Sequence, residues 1–185
     1  MTRRAFAKVL CEGLQDALFA RRVLLRLGIG ERDLRIEYSP RGRGSGEQYV
    51  REHYPEDLEA HRVRQAKRRA VLVVLTDADT RSVAATLDQL AEAVANQNLA
   101  PRCASDAVAI LIPRRNIETW LTALEGAPVD ETTAYPKRPG RESQCQSAVD
   151  RFIALLAATT DAVQPPSLAQ GLRELQPLVA VLKAG

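Results

Sequence analysis

The chain has 185 residues, of which 45% are hydrophobic and 26% charged, a composition typical of one globular domain with a sizeable core. Its longest apolar runs, such as AVLVVL, are far shorter than the roughly 20 residues that a membrane-spanning helix needs, so we expect no membrane association. Three widely spaced cysteines without a CxxC pair argue against a disulfide framework and a zinc ribbon and indicate a reducing cytoplasm, and the net charge of +3 is only mildly basic.

Strands and helices alternate along the first two thirds of the chain. In chain order the pattern predicts a strand at 5–11, a helix at 14–27, a strand at 34–38, a helix at 47–69, a strand at 70–75, a helix at 82–97, a strand at 108–112 and a helix that carries residues 116–120. Repeated βα units predict parallel strands with right-handed crossovers. The fold class that we expect is therefore α/β, with about four mainly parallel strands flanked by helices.

The last third of the chain differs in composition. From Gly126 to Ser143 the sequence is rich in Pro, Gly, Thr and charge, which indicates a loop or lid over the sheet edge. Helices predicted at 144–160 and 168–183 then close the chain. We therefore expect an α/β domain at 1–125 and, at 126–185, a loop or lid and C-terminal helices that pack on the same domain.

Acidic residues follow two of the predicted strands. Glu12 comes after the first strand, and Asp77 and Asp79 come after the most apolar one, which should be central. Carboxylates at the ends of parallel strands meet at the edge where open α/β sheets bind ligands, and they suit Mg²⁺ and phosphate chemistry. The competing interpretation is that DADT forms a turn and caps a helix that opens at Thr80.

These motifs carry a family resemblance. The segment CEGLQD between a strand and a helix, then DAD after a central strand, resembles the Toprim domain of topoisomerases, primases and overcoming-lysogenization-defect nucleases. It is especially similar to small stand-alone prokaryotic Toprim-like proteins, which carry an Arg-Asn-Ile-Glu-x-Trp-Leu segment like the one at Arg115–Leu121 here. The resemblance implies a Toprim-like Rossmann-type sandwich. It also implies a nuclease in phage defence or DNA repair, often beside a co-encoded ATPase.

The resemblance further implies roles for individual acids. Glu12 would act as general acid or base and as a metal ligand, and Asp77 and Asp79 would hold Mg²⁺ or Mn²⁺. The chain departs from the family pattern at Arg81, where many Toprim sequences have a further acid. Glu118 could replace that acid, although a first-turn glutamate is also favoured by the helix dipole.

Asp16 has a similar ambiguity, because its position after the first strand suits either helix capping or an outer-shell role beside Glu12.

Basic residues could contact nucleic acid phosphates at three places, although a solvated helix face is the competing explanation for the middle one. They are Arg41 and Arg43 in a glycine-rich loop, Arg68 and Arg69 before the central strand, and Arg114 and Arg115 before the Glu118 helix.

Two function hypotheses follow. The first is Mg²⁺-dependent phosphodiester hydrolysis on nucleic acid, and the second is a noncatalytic Toprim-like subunit that binds nucleic acid or an ATPase partner, which Arg81 favours. The sequence leaves open DNA against RNA and the formation of homo-oligomers. His53 and His61 are predicted to be surface residues, and Trp120 is predicted to be in the core.

Overall fold

The computed structural model describes residues 5–40, 42, 44–138, 145–158 and 163–183. The strands are β1 (Phe6–Cys11), β2 (Leu34–Tyr38), β3 (Ala70–Leu75) and β4 (Val108–Leu111). The α-helices are α1 (Leu14–Arg26), α2 (Gly46–Gln65), α3 (Val83–Asn96), α4 (Ile117–Leu124), α5 (Gln146–Leu156) and α6 (Pro166–Lys183).

The four strands form one parallel sheet in the order β2-β1-β3-β4. This confirms the predicted α/β class and the central place of the most apolar strand. In the register, Cys11 pairs with Leu75, and Leu75 pairs with Leu111, so the carboxyl ends of three strands are level. From β1 the chain crosses to β2 on one side, and from β3 it crosses to β4 on the other. The crevice between β1 and β3 is therefore the switch point where open α/β sheets bind ligands.

Both faces of the sheet are covered by helices, which explains why β3 is an uninterrupted apolar run. Val71, Val73 and Leu75 pack with α1, α4, α5 and α6 on one face. Leu72 and Val74 pack with α2 and α3 on the other. The C-terminal helices α5 and α6 share this core with α1, and no helix among the described residues is long and apolar enough to cross a membrane.

Two sequence expectations about helices need correction. The predicted helix at 47–69 ends at Gln65, because the chain must turn before Arg69, whose carbonyl accepts a hydrogen bond of 3.0 Å from Phe6 N. The last helix begins at Pro166 rather than 168, since the fixed φ of proline suits the first turn of a helix.

The prediction for Trp120 is confirmed, and one histidine prediction is wrong. Trp120 is fully buried, and its indole N–H donates to Ser167 Oγ at 2.8 Å. His61 is also fully buried, where its Nε2 bonds the backbone carbonyl of Asp106. That partner lies 45 residues away in the sequence, so the polar surroundings of His61 in the chain gave no sign of it.

One charged group lies inside the sheet layer. The Lys8 ammonium, in the middle of β1, is 2.6 Å from Asp57 Oδ1 of α2 and 2.9 Å from Glu37 Oε2 of β2. Lys8 and Asp57 are both buried. Burial removes both charges from water, and the short distance between them must offset the lost hydration.

The segment after α4 is irregular, and residues 127–138 are called the strap below. The strap is fixed to two helices. Asn116 Nδ2 donates to Tyr135 O at 2.8 Å, and Glu131 Oε1 accepts from Ser167 N, at the start of α6, at 2.9 Å. Residues 139–143 of the predicted loop or lid lie outside the described residues.

Candidate functional site

Glu12 is fixed at the crevice between β1 and β3. The register that pairs Cys11 with Leu75 brings the next residues of both strands side by side. Glu12 Oε1 accepts hydrogen bonds from Thr76 Oγ1 at 2.5 Å and from Asp77 N at 2.7 Å. The carboxylate is therefore oriented by the loop that follows β3, while none of the described residues donates to its Oε2.

A cleft of about 420 Å³ opens at this point. Four carboxylate side chains line it, from the ends of two strands and the first turns of two helices: Glu12, Asp16, Asp77 and Glu118. Asp16 and Glu118 are only 5% and 3% exposed. The cleft therefore gathers more acids than the two strand ends alone supply.

Two buried carboxylate oxygens in the cleft have no hydrogen-bond partner among the described residues. Asp16 Oδ2 accepts from Gly13 N at 3.0 Å, as the capping alternative predicts, but Asp16 Oδ1 is buried without a hydrogen bond to any described residue. Asp77 Oδ1 is buried without a partner in the same way. Leaving buried polar atoms unpaired costs free energy, and each such atom in a native structure requires an explanation. A cation bound at either oxygen would supply the partner that it lacks.

The pKa values of three acids in the cleft, Glu12, Asp16 and Asp77, are raised. Burial raises the pKa of Glu12, and the charges of Asp79 and Glu47 raise it further. The two hydrogen bonds to Oε1 lower this pKa and so oppose the shift. Burial also raises the pKa of Asp16 and of Asp77 well above the usual range, and neighbouring carboxylates, including Glu12 and Glu118, add to both shifts. A positive charge placed among these groups would remove the repulsion.

The first turn of α2 presses directly on Glu12. A Cβ atom added at Gly46 would lie 2.6 Å from Glu12 Cβ and 2.9 Å from Glu12 O, which is closer than real Cβ contacts allow. Only glycine fits at this position. The close approach holds α2 at the wall of the cleft.

Asp79 lies at the rim and does not line the cleft. It is exposed, has a left-handed φ of 51°, and forms a backbone bridge to Arg115, whose φ is 71°. The helix after β3 begins at Val83 and is capped by Ser82, whose hydroxyl accepts from Ala85 N. The alternative in which the aspartates cap a helix at Thr80 is therefore wrong.

Arg81 and Glu118 have separate environments. Arg81 Nη2 lies 3.4 Å from Glu47 Oε1, in the first turn of α2. Glu118 lies in the first turn of α4, as a dipole-favoured glutamate would, yet it is buried in the cleft and its Oε1 accepts from Arg138 N at 3.3 Å. Glu118 is therefore one of the acids that line the cleft, whereas Arg81 does not line it.

The predicted basic residues are not all at this edge. Arg41 and Arg43 lie outside the described residues. Arg68 and Arg69 precede β3, so the six residues of that strand separate them from Asp77 by about 20 Å. Arg68 pairs with Asp33 at 2.9 Å, at the opposite edge of the sheet from the cleft.

Arg114 and Arg115 follow β4 at the same edge as the acids. Both are partly exposed, and neither is among the residues that line the cleft. The cationic residues that do line it, Lys137 and Arg138, come from the strap. Sequence reasoning missed both, because an irregular segment has no periodicity that would assign it to an edge of the sheet. No pattern in the sequence indicated that Gly46 would lie against Glu12.

The cleft has the donors that a hard divalent cation requires, although it is not a closed cage. Among the described residues, no three His, Cys, Asp or Glu side chains form a group that could hold a metal ion as they stand. Mg²⁺ usually keeps several waters and binds through one or two carboxylates together with substrate phosphates, so a closed cage is not required. The unpartnered oxygens of Asp16 and Asp77 fit such a cation.

Comparisons with protein-family models, curated proteins and solved structures found no match to this chain. Fold and cleft therefore define the class: a parallel α/β protein with an acidic crevice at its switch point. The resemblance to Toprim domains stays a prediction that rests on the motif residues.

Proposed function

We propose that this protein is a Mg²⁺- or Mn²⁺-dependent phosphodiesterase that acts on nucleic acid, with the acidic cleft as its active site. The observation that carries the proposal is the convergence of four carboxylates at the switch point, two of them with buried oxygens to which no described residue donates. When bound, the cation would neutralise charge that builds on phosphate oxygens in the transition state.

The proposed ligands are Asp77, Asp16 and Glu118, with Asp79 at the rim. Glu12 is the proposed general acid or base. Burial raises its pKa, which is the direction that suits a general acid or base, and the hydrogen bonds from Thr76 and Asp77 N fix its orientation toward the cleft. A carboxyl group in this environment could accept a proton from an attacking water or return one to the leaving oxygen.

The setting proposed for this activity is a reducing cytoplasm, which fits three cysteines of which none forms a disulfide. Arg114 and Arg115 are proposed phosphate contacts, because they follow β4 at the edge where the cleft opens. A co-encoded ATPase partner and a role in phage defence or DNA repair remain predictions of the Toprim resemblance.

The first test is metal binding. Titration calorimetry with Mn²⁺ should show binding to the wild type and its loss in Asp77→Asn. Asp88→Asn is the matched control, since it removes the same charge from an exposed position on α3. If Asp77→Asn binds Mn²⁺ as the wild type and the control do, the metal site is refuted.

The second test is turnover. Labelled DNA and RNA should be cut by the wild type with Mg²⁺ or Mn²⁺, and Glu12→Gln should bind the same substrates while its rate falls by about 100-fold or more. Persistent cleavage by Glu12→Gln would remove Glu12 from the chemistry.

The second candidate is a noncatalytic subunit that binds nucleic acid or an ATPase. Arg81 in place of the further acid favours it, as does the lack of a ready three-ligand group among the described residues. A wild-type protein that binds Mn²⁺ and nucleic acid but never cuts, alone or with a co-encoded ATPase, would favour this candidate over the enzyme.

A further inference from the structure

The backbone on both sides of Lys137 is fixed to helix α4. Before it, Tyr135 O accepts from Asn116 Nδ2 at 2.8 Å. After it, Arg138 N donates to Glu118 Oε1 at 3.3 Å, and the Arg138 guanidinium binds both oxygens of Glu125 at 2.6 Å and 2.8 Å. The position of Lys137 relative to the cleft is therefore set by its neighbours and not by its own side chain.

The two cations of the cleft differ in what they are bound to. Arg138 is committed to Glu125 by a two-point contact, whose fixed geometry leaves few of its donors for a ligand. Lys137 is exposed and lines the cleft, and among the described residues it has no carboxylate within 4.0 Å. The Lys137 ammonium is thus near the acids without being paired to one.

A phosphodiester could not approach four carboxylates without positive charge to receive it. A cation held by the unpartnered oxygens of Asp16 and Asp77 would lie deep in the cleft. The outer phosphate oxygens would then need a separate positive charge at the mouth of the cleft. A lysine ammonium on a flexible stem binds phosphate as a point charge and tolerates many geometries. Lys137 is the cleft cation that meets these requirements.

We infer that Lys137 binds the nonbridging oxygens of the substrate phosphate at the mouth of the cleft, and that the strap serves to hold it there. This inference rests on the proposed function. Lys137 is then a substrate-binding residue outside the acidic motifs, contributed by the part of the chain that follows the α/β units.

The test uses Lys137→Gln and Lys137→Arg in the full chain, with Lys183→Gln as the control. Lys183 is also exposed, and α6 separates it from the cleft by about 27 Å over 18 residues. The probe is a short fluorescein-labelled single-stranded DNA, and its RNA equivalent, measured by anisotropy in Ca²⁺ over a series of salt concentrations. Mn²⁺ calorimetry is run on each variant.

Lys137→Gln should weaken oligonucleotide binding by about fivefold to tenfold and reduce the salt slope by about 0.7, the contribution of one phosphate contact to a single strand. Lys137→Arg should retain most of the affinity, and Lys183→Gln should match the wild type. Mn²⁺ should still bind all four proteins. Because the Lys137 charge acts on Asp16, a lysine that only balances the acids would change Mn²⁺ affinity and leave the salt slope of oligonucleotide binding at the wild-type value.

Three results would overturn the inference. They are a wild-type salt slope of oligonucleotide binding in Lys137→Gln, absence of oligonucleotide binding by the wild type, and complete loss of Mn²⁺ binding in Lys137→Gln. The proposed metal site fails separately, through Mn²⁺ binding that does not depend on Asp77.

Discussion

The contact between Gly46 and Glu12 makes the cleft sensitive to one methyl group. In Gly46→Ala the new Cβ would lie 2.6 Å from Glu12 Cβ and 2.9 Å from Glu12 O. Neither atom is the end of a flexible side chain, so the clash cannot be relieved by a change of rotamer. We expect the first turn of α2 and the end of β1 to move apart, and Glu12 to lose its alignment with Thr76 and Asp77 N.

The expected cost follows from two opposing effects. Overpacking a well-filled site costs about 1–3 kcal/mol, while replacing a helical glycine with alanine returns about 0.5–1 kcal/mol. The net loss of up to about 2.5 kcal/mol in the free energy of unfolding corresponds to a fall of up to about 10 °C in the thermal midpoint for a chain of this size. Mn²⁺ affinity should fall by about 10-fold to 100-fold, as it does when groups that orient metal ligands are altered.

Urea unfolding and Mn²⁺ calorimetry measure the two effects, and Gly13→Ala is the matched control. Gly13 also adjoins Glu12, but its backbone is extended, with φ of −155°, and a Cβ there would meet Asp16 Oδ2 at an ordinary 3.8 Å. If Gly46→Ala and Gly13→Ala have the same stability and the same affinity for Mn²⁺, the argument from the close approach is refuted.

Three further predictions test stability. Asp77→Asn should raise the thermal midpoint of the metal-free protein at pH 8 by about 2–4 °C, because it removes a buried charge repelled by its neighbours, and a lower midpoint would contradict this. Gly171→Ala should destabilise the fold by about 1–3 kcal/mol, since its Cβ would lie 2.3 Å from Trp120, whose fluorescence reports unfolding directly; unchanged stability would show that the helices can separate at no cost. Burial lowers the pKa of His61 from 6.5, so the unfolded chain binds more protons and stability is lost as pH falls below about 6.5; His61→Gln should lose less over that range, and equal losses would exclude His61 as the cause.

The fold and the centre of the cleft could be predicted from local patterns. A buried parallel strand reads as a continuous apolar run, and its register with the next strand brings their carboxyl ends together, so Glu12 and Asp77 were expected to meet. Asp16 and Glu118 were ambiguous, because a first-turn acid is favoured by the helix whether or not it also faces a ligand. Only packing separates the two roles. It buries Asp16 Oδ1 without a partner among the described residues, and it buries Glu118 in the cleft beside the strap.

The remaining differences come from long-range placement. Arg68 and Arg69 are close to Asp77 in the sequence, but they precede β3 while Asp77 follows it, so the strand itself separates them. Lys137 and His61 depend on contacts made by distant segments, the strap with α4 and the end of α2 with Asp106. Such contacts leave no periodic pattern in the sequence, so neither segment indicates which other segment it contacts.

The buried lysine of β1 has a consequence for how the sheet is assembled. Along this otherwise apolar strand, Lys8 is the one residue whose place is dictated by charge, since the carboxylates that receive it lie on α2 and β2. A shift of β1 by one residue would turn Lys8 toward the layer of α1, α5 and α6, whose buried core is apolar. The cost of an unpaired buried ammonium, several kcal/mol, would exclude that alternative pairing. Because Glu12 directly follows β1, four residues after Lys8, the lysine that selects the pairing also selects which carboxylate stands beside Asp77.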